Sequence, residues 1–249
     1  MNIIVCVKRV PDSEARIQLS DGATSIDPAG VKFVLNPYDE FAIEAALKQK
    51  EAAGEGSVTV VSLGGAQSAE TLRTALAMGA DSAVLLKTSA ENPSGLPVAR
   101  TLAEELGGRE YDLILFGLKA IDDDQHAVGG MVAELLDIPS ASAVTEFAVE
   151  DGSVRADREV EGGSEAVELS LPCALSITKG AYEPRYPSLK GIMAAKRKPL
   201  EEKEVSVGEG NETVRLAPPQ ERAAGRIVGE GPDAVPELIR LLREEAKVL

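Results

Sequence analysis

The sequence predicts an α/β fold with a doubly wound, mostly parallel sheet. Short apolar runs of strand length alternate with longer segments in which apolar residues recur every three or four positions. Aromatic residues form only 3% of the 249 residues and Trp is absent, so the core must be aliphatic, as in parallel sheets covered by helices. Alternation of this kind builds right-handed βαβ units.

The first half of the chain contains the clearest elements. The apolar runs predict four strands, Ile3–Val7, Ser57–Leu63, Ser82–Leu86 and Tyr111–Phe116. The helical spacing between them predicts three helices, around Phe41–Ala46, Leu72–Met78 and Leu96–Leu106. Glycines follow the second and third helices, as is common at helix C-termini.

Two segments interrupt the alternation. Arg16–Phe33 alternates in polarity and contains Asp21-Gly22, which predicts an additional β-hairpin region inserted after the first strand. Ala143–Leu171 predicts further strands, joined by turns at Asp151-Gly152 and Gly162-Gly163.

The C-terminal part differs in composition. We expect residues 1–200 to form one α/β domain and residues 201–249 to form a C-terminal arm. The arm is charged until one amphipathic helix near Ala234–Val248. A lone helix cannot bury its apolar stripe by itself, so it must pack on the body or on another polypeptide, and we favour the polypeptide.

Bulk composition excludes several classes of function. A net charge of −15 argues against a nucleic-acid partner, since phosphate backbones bind basic surfaces. Cys6 and Cys173 lie far apart with no CxxC, so we expect two buried thiols rather than a zinc site. The N-terminal residues predict a strand rather than a signal peptide, and no apolar stretch approaches the roughly 20 residues of a membrane span. We therefore expect a cytoplasmic protein or, as an alternative, one of an organelle matrix.

Three segments lie where ligands bind open parallel sheets, beyond the carboxyl ends of strands at the switch point. The first is Leu35–Glu40, in which Asn36 is a good N-cap, Pro37 suits the first helical position and Asp39 suits the first turn. Taken by itself, this segment favours a well-made helix start over a ligand site.

The second segment, Val61–Ser68, places two glycines between a strand and a helix, where backbone amides can approach an anion. It is neither a dinucleotide-binding fingerprint nor a Walker A loop. It is superficially similar to the phosphate loop of ATP pyrophosphatases, but Gln67 stands where the acid of that loop would be. An ordinary tight turn fits the spacing equally.

The third segment, Gly117–Gly129, follows the most apolar strand. Its adjacent carboxylates, Asp122–Asp124, fit a Mg²⁺ site, a helix cap that also accepts hydrogen bonds from a ribose, or a solvated loop. Because three acids would repel a phosphate, we expect the backbone amides to face the ligand. His126 is the only histidine, and no second His, Cys or Ser is placed to make it a triad or metal partner.

A fourth segment, Glu183–Met193, begins a local reversal of charge. Five basic residues and no acid lie between Arg185 and Lys198. This pattern fits the steering of an acidic protein partner, with Leu189 as an exposed apolar anchor. A rigid surface loop with one exposed Leu is the alternative.

Together these segments resemble the β subunit of electron transfer flavoprotein, over essentially the whole chain. The residues that carry the resemblance are Val7–Val10, Asn36-Pro37, Glu70–Asp81, Ala120–Asp124, Arg158–Gly163 and Glu183–Tyr186. The resemblance implies an adenine nucleotide alpha hydrolase-like fold in the nucleotide-binding domain. It also implies an electron-carrier subunit rather than an enzyme.

The resemblance further implies cofactors and partners. The β subunit forms a heterodimer with an α subunit, which holds most of one redox FAD, and β buries a structural AMP. Electrons arrive from acyl-CoA or other flavin dehydrogenases and leave to a quinone oxidoreductase. The arm at 201–249 is expected to pack on the α subunit.

Site residues follow from the resemblance position by position. It implies nucleotide contacts at Cys6, Asn36, Pro37, Tyr38, Asp39, Leu63, Gly117, Leu118, Lys119, Ala120, Ile121, Asp122, Asp123, Asp124, Gln125, His126, Ala127 and Val128. It implies partner docking at Glu183, Pro184, Arg185, Tyr186 and Leu189. Tyr38 resembles an aromatic that approaches the flavin ring, and Arg158 with Glu159 resembles a pair on the flavin side.

The identity of the nucleotide stays open between two family types. Asp122–Asp124 resembles the AMP type, whereas Val128-Gly129 resembles a bifurcating type in which a second FAD replaces AMP. We favour AMP, because Asp123 would crowd a diphosphate at a position where the second type has Gly. A stand-alone adenine-nucleotide sensor and an ATP pyrophosphatase are the rival functions. The sensor would need neither the Glu183–Met193 segment nor the terminal helix, and the missing acid at Gln67 argues against the pyrophosphatase.

Overall fold

The structure, a computed structural model, describes residues 1–220 and 224–249. Within these ranges the strands are β1 Asn2–Cys6, β2 Arg9–Pro11, β3 Phe33–Leu35, β4 Ser57–Gly64, β5 Ser82–Lys87, β6 Leu113–Gly117, β7 Ser140–Glu150, β8 Ser153–Val160, β9 Gly163–Ser170, β10 Cys173–Ile177 and β11 Leu200–Glu204. The helices are α1 Pro37–Ala53, α2 Ser68–Met78, α3 Gly95–Gly107, α4 Val128–Leu135, α5 Leu189–Ala195 and α6 Val235–Glu244.

The described residues form a central sheet of nine strands in the order β11-β5-β4-β1-β6-β10-β7-β8-β9. The first seven strands of this order run parallel, and β8 and β9 add an antiparallel end. The chain moves from β1 outwards to β4 and β5, then returns to place β6 on the other side of β1. The predicted doubly wound α/β class is thus confirmed, and the switch point lies between β1 and β6.

Each face of the sheet is covered by helices. Successive β1 residues alternate between the faces, because side chains of a strand point to opposite sides. Ile3 and Val5 join the core formed with α1 and α2, whereas Ile4 and Cys6 join the core formed with α3 and α4. Both cysteines are buried free thiols, as expected.

The predicted hairpin over Arg16–Phe33 is only partly correct. The ladder lies outside this segment apart from Phe33, because β2 at Arg9–Pro11 pairs antiparallel with β3, and the segment itself holds one isolated bridge, Leu19 to Ile26. The guanidinium of Arg9 lies 3.7 Å from the centre of the Phe33 ring across the pair. The strands predicted between Ala143 and Leu171 are β7, β8 and β9.

The chain divides into two compact units, Met1–Leu216 and Ala217–Leu249. The first unit extends past the predicted boundary at residue 200, because β11 pairs with β5 at the edge of the sheet. In the second unit a 3-10 turn at Pro232–Ala234 leads into α6, where Arg240 bridges Glu237 and Glu244. Residues 221–223 of the predicted arm lie outside the described residues. In the described part of the chain, no helix is both long and apolar enough to cross a membrane.

Candidate functional site

The carboxyl ends of β1 and β6 meet the start of α1 at the switch point, and Asn36 connects all three. Its Nδ2 donates to Asp39 Oδ1 at 2.8 Å and to the carbonyl of Lys119 at 2.8 Å. Its Oδ1 accepts from the N–H of Ile121 at 3.2 Å, and its own N–H donates to the carbonyl of Lys8 at 3.0 Å. We call Lys8, Asn36, Asp39, Gly117 and Ile121 the strand-end cluster.

Asn36 occupies the predicted cap position, but its side chain makes no capping bond to α1. The side chain is buried, and its hydrogen bonds to described residues run to Asp39 and to the loop after β6. Asn36 therefore connects the start of α1 to the loop after β6. The prediction of a helix start with Pro37 at its first position is confirmed.

Asp39 is a buried carboxylate in the middle of this cluster. Burial raises the pKa of Asp39 to about 7, although N–H donors from Lys8, Asn36 and Gly117 act in the opposite direction. The Lys8 N–H lies 2.7 Å from Asp39 Oδ2. Because both oxygens accept bonds from within the protein, Asp39 supports the site rather than offering a free carboxylate to a ligand.

Gly117 ends β6 against the first turn of α1. A Cβ at this position would lie 2.7 Å from the backbone nitrogen of Asp39 and 2.7 Å from the carbonyl carbon of Tyr38. Only glycine allows the two backbones to approach this closely without displacement. The close approach brings the loop after β6 to the N-terminus of α1.

Each of the three acids after β6 pairs with one of two lysines, which leaves the group with one net negative charge. Lys8 Nζ donates to Asp122 at 2.9 Å and to Asp123 at 3.0 Å, and Lys119 Nζ pairs with Asp124 at 3.0 Å. Although burial lowers the pKa of Lys8, its interactions with Asp122 and Asp123 raise it above the ordinary value overall. Among the described residues there is no group of three His, Cys, Asp or Glu side chains able to hold a metal ion. The structure thus gives no support to the Mg²⁺ alternative.

Most of the remaining predicted contact residues lie in the loop after β6. Leu118, Ala120, Gln125, His126 and Ala127 lie in the same loop, which leads into α4 at Val128. Cys6 is buried at the end of β1, and burial raises the pKa of its thiol well above the ordinary value. Tyr38 is half-buried, with Lys119 Nζ 5.8 Å from its ring centre.

The segment after β4 forms a tight turn into α2. Leu63 is half-buried, and the N–H of Ser68 donates to the carbonyl of Gly65 at 2.9 Å. Ser62 Oγ is buried and has no hydrogen-bond partner among the described residues. The geometry of this segment is that of an ordinary βα turn.

Arg158 and Glu159 lie on β8, which β10 and β7 separate from β6 in the sheet order. Arg158 Nε donates to the carbonyl of Ser142 at 3.1 Å, and its guanidinium lies 3.4 Å from Glu165. The structure does not bring this pair into the strand-end cluster.

The predicted docking residues lie on one segment, residues 183–195, which includes α5 and which we call the projecting segment. Tyr186 is 95% exposed and Leu189 is 83% exposed. The guanidinium of Arg185 forms ion pairs with Glu44 and Glu51 of α1. Glu183 is exposed and Pro184 half-buried.

Two features of these regions were not predicted from the sequence. Lys8 was not among the predicted site residues, although it holds Asp122 and Asp123. Helix α5 was read as a loop, although Ser188 caps it by accepting from the N–H of Gly191 at 3.0 Å. A Ser directly before a run of small and apolar residues was the available signal.

Comparison with known proteins gives a consistent result. The family model of the electron transfer flavoprotein domain matches residues 24–207. The chain is 40% identical to electron transfer flavoprotein subunit beta of Bacillus subtilis and 39% identical to that of Bradyrhizobium diazoefficiens, in both cases over 100% of each chain. It is 36% identical to the human subunit beta, over 96% of each chain.

Proposed function

Because this chain belongs to the electron transfer flavoprotein β-subunit family, we propose that it works as the β subunit of a heterodimer whose α subunit holds most of the redox FAD. FAD supplies the electron chemistry, and this chain positions and shields it. Electrons come from acyl-CoA or other flavin dehydrogenases and go to a quinone oxidoreductase. The proposed location is the cytoplasm or an organelle matrix.

The observation that carries the nucleotide part of this proposal is the strand-end cluster. Asn36 and Gly117 hold the end of β1, the start of α1 and the loop after β6 together at the switch point. Ligands of open parallel sheets bind at this position. We infer that the loop from Gly117 to Val128 presents its backbone to an adenine nucleotide.

The charges of the loop favour a nucleotide with one phosphate. Asp123 is held in place by Lys8 Nζ at 3.0 Å and by the N–H of Gln125 at 3.3 Å, so its side chain cannot swing away freely. A fixed carboxylate disfavours a second phosphate beside it. We therefore propose AMP as the bound nucleotide.

Val128-Gly129, the pair that resembles the FAD type, is explained by packing inside the protein. Val128 is half-buried against the core of α3 and α4. A Cβ on Gly129 would lie 2.8 Å from Ser176 Oγ and 3.2 Å from the Phe116 ring. These two residues are thus accounted for by contacts inside the protein, which weakens the argument for a second FAD.

The projecting segment and the arm supply the protein contacts of the proposal. Apolar side chains stand out of the segment beside the exposed bases Lys190, Lys196 and Arg197, which suits a dehydrogenase with an acidic rim around an apolar recess. Helix α6 exposes Val235 and Leu238 on one side. We propose that this stripe packs on the α subunit.

The test is a count of cofactors. The chain is purified together with its α subunit, denatured, and the released FAD and AMP are quantified by chromatography and mass. One FAD with one AMP per heterodimer is expected. Two FAD without AMP would show that a second FAD, and not AMP, is the nucleotide of this chain. A complex without flavin would refute the proposed function.

A matched pair of variants sharpens the choice of nucleotide. Asp123→Gly should raise the ratio of FAD to AMP, because it removes the carboxylate that opposes a diphosphate. Asp124→Gly removes an equal charge but leaves Asp123 in place, and it should keep AMP. An equal response of both variants would contradict the role given to Asp123.

A further inference from the structure

The projecting segment is fastened to α1 through Arg185. Its Nε lies 2.7 Å from Glu44 Oε2 and its second terminal nitrogen lies 2.9 Å from Glu44 Oε1, a bidentate pairing. Its other terminal nitrogen lies 2.7 Å from Glu51 Oε1. The backbone N–H of Arg185 also donates to Glu44 at 3.2 Å, so one carboxylate holds both the backbone and the side chain of Arg185.

Glu44 makes this connection costly to break. It is only 3% exposed, and a buried carboxylate that loses its partner is strongly unfavourable. Interactions with Glu44 and Glu51 raise the pKa of Arg185 further above its ordinary value, so the guanidinium stays charged. Lysine at this position could supply the charge but not the two-pronged geometry.

The other end of the segment is fastened to α2. Arg73 donates to the carbonyls of Ala195 at 2.6 Å and Lys198 at 2.8 Å. Lys198 Nζ in return donates to carbonyls at the end of α2, including Leu76 at 3.0 Å and Ala80 at 2.6 Å. Two cations therefore hold residues 195–198 against α2, and Lys198 lies at the C-terminus of this helix, where positive charge is favoured.

Between these two attachments the side chains project outwards. Tyr186, Leu189 and Met193 are 95%, 83% and 73% exposed. A loosely held segment would lose conformational entropy when a partner ordered it, and that loss would weaken binding. A segment that is fixed at both ends before binding loses less conformational entropy when the partner binds.

We propose that Arg185 is a positioning residue for partner docking, which through its fork to Glu44 and Glu51 fixes the direction in which the apolar side chains of residues 186–193 project. This inference rests on the proposed function, because it presupposes that the segment receives a dehydrogenase. Arg185 acts through the orientation of its neighbours and not through its own contact with the partner.

The experiment uses the full heterodimer and an acyl-CoA dehydrogenase with its acyl-CoA substrate as the probe. Arg185→Gln removes the fork. Lys190→Gln is the matched control, because it removes one exposed positive charge from the same segment without touching the fork. The measurements are the heterodimer concentration that half-saturates the dehydrogenase, the rate at saturation, and hydrogen exchange of residues 186–193.

We expect Arg185→Gln to raise the half-saturating concentration about tenfold, with the saturated rate and the flavin content unchanged. Hydrogen exchange of residues 186–193 should accelerate by about the same factor. Lys190→Gln should weaken docking less than about threefold, and salt should abolish its effect because exposed charges are screened. The Arg185→Gln defect should persist at high salt.

A double variant, Arg185→Gln with Glu44→Gln, guards against misfolding, since it leaves no unpaired buried charge. It should fold and show the same docking defect. Docking and exchange equal to those of wild type in either variant would overturn the positioning role. A wild-type heterodimer without flavin, or without reduction by the probe, would instead contradict the proposed function, and hydrogen exchange would still decide whether Arg185 orders the segment.

Discussion

Replacing Gly117 with Ala tests whether close backbone approach builds the strand-end cluster. The added Cβ would lie 2.7 Å from two backbone atoms of α1, whereas ordinary contacts begin at 3.4 Å. The two elements must therefore separate by about 0.7 Å, which is the difference 3.4 − 2.7. Backbone atoms at a helix start cannot give way as a flexible side chain can.

The expected cost combines two effects. Overpacking of a well-packed region costs about 1–3 kcal/mol. The displacement of α1 also weakens the bond from the Lys8 N–H to the carboxylate of Asp39, which adds about 1 kcal/mol. We expect the free energy of unfolding to fall by about 3 kcal/mol.

Gly130→Ala is the matched control, because it makes the same chemical change inside α4 where nothing lies within 4 Å of the new Cβ. Alanine should there stabilise the helix by about 0.5–1 kcal/mol. Urea unfolding of the chain gives both values, and with an m-value of about 3 kcal/mol/M the Gly117 variant should shift the midpoint down by about 1 M. Its complex with the α subunit should also lose AMP. Equal midpoints for Gly117→Ala and wild type would refute the reasoning.

Three further changes test the same architecture. Asn36→Ala should cost about 2–4 kcal/mol in urea unfolding and release the nucleotide, because it leaves the Lys119 carbonyl and the Ile121 N–H without their partner; an unchanged nucleotide content would contradict this. The pKa of Asp39 is raised by burial from 3.8 to about 7, so between these values the folded chain holds a proton that the unfolded chain has released, and stability falls as pH rises. Asp39→Asn should reduce the slope of unfolding free energy against pH by at most about 1.4 kcal/mol per pH unit, measured from pH 5 to 7. An unaltered slope would show that another group causes the pH dependence. Tyr182→Phe removes two buried hydrogen bonds to β7 and should cost about 1–3 kcal/mol while AMP stays bound, and loss of AMP would show coupling that the structure does not contain.

The sheet could be predicted because its signals are local. Apolar runs at Ile3–Val7 and Ser82–Leu86 are long enough to fix a strand, and Gly79 ends α2 where the pattern of that helix stops. The pairing of β2 with β3 could not be predicted in the same way, because these strands have three residues each and are joined across a long irregular segment. Alternation inside that segment was therefore mistaken for a ladder.

The place of the strand-end cluster in the chain could be predicted, but the contacts that its side chains make could not. A strand followed by Asn36-Pro37 marks a strand end and a helix start from sequence alone. The bonds of Asn36 run to residues 119 and 121, more than eighty positions away, and only the folded chain brings these together. The same holds for Lys8, whose partners Asp122 and Asp123 are more than a hundred positions distant.

The polar groups of the strand-end cluster are bound to one another, and this suits an electron-carrier subunit. The carboxylate of Asp39 accepts bonds from within the protein, the acids of the loop are paired with Lys8 and Lys119, and the thiol of Cys6 is buried and kept protonated. Groups held in this way are not available as bases or nucleophiles. The proposed nucleotide site needs that inertness, because in the proposed heterodimer the flavin would carry the electrons while this chain leaves flavin and nucleotide chemically unchanged.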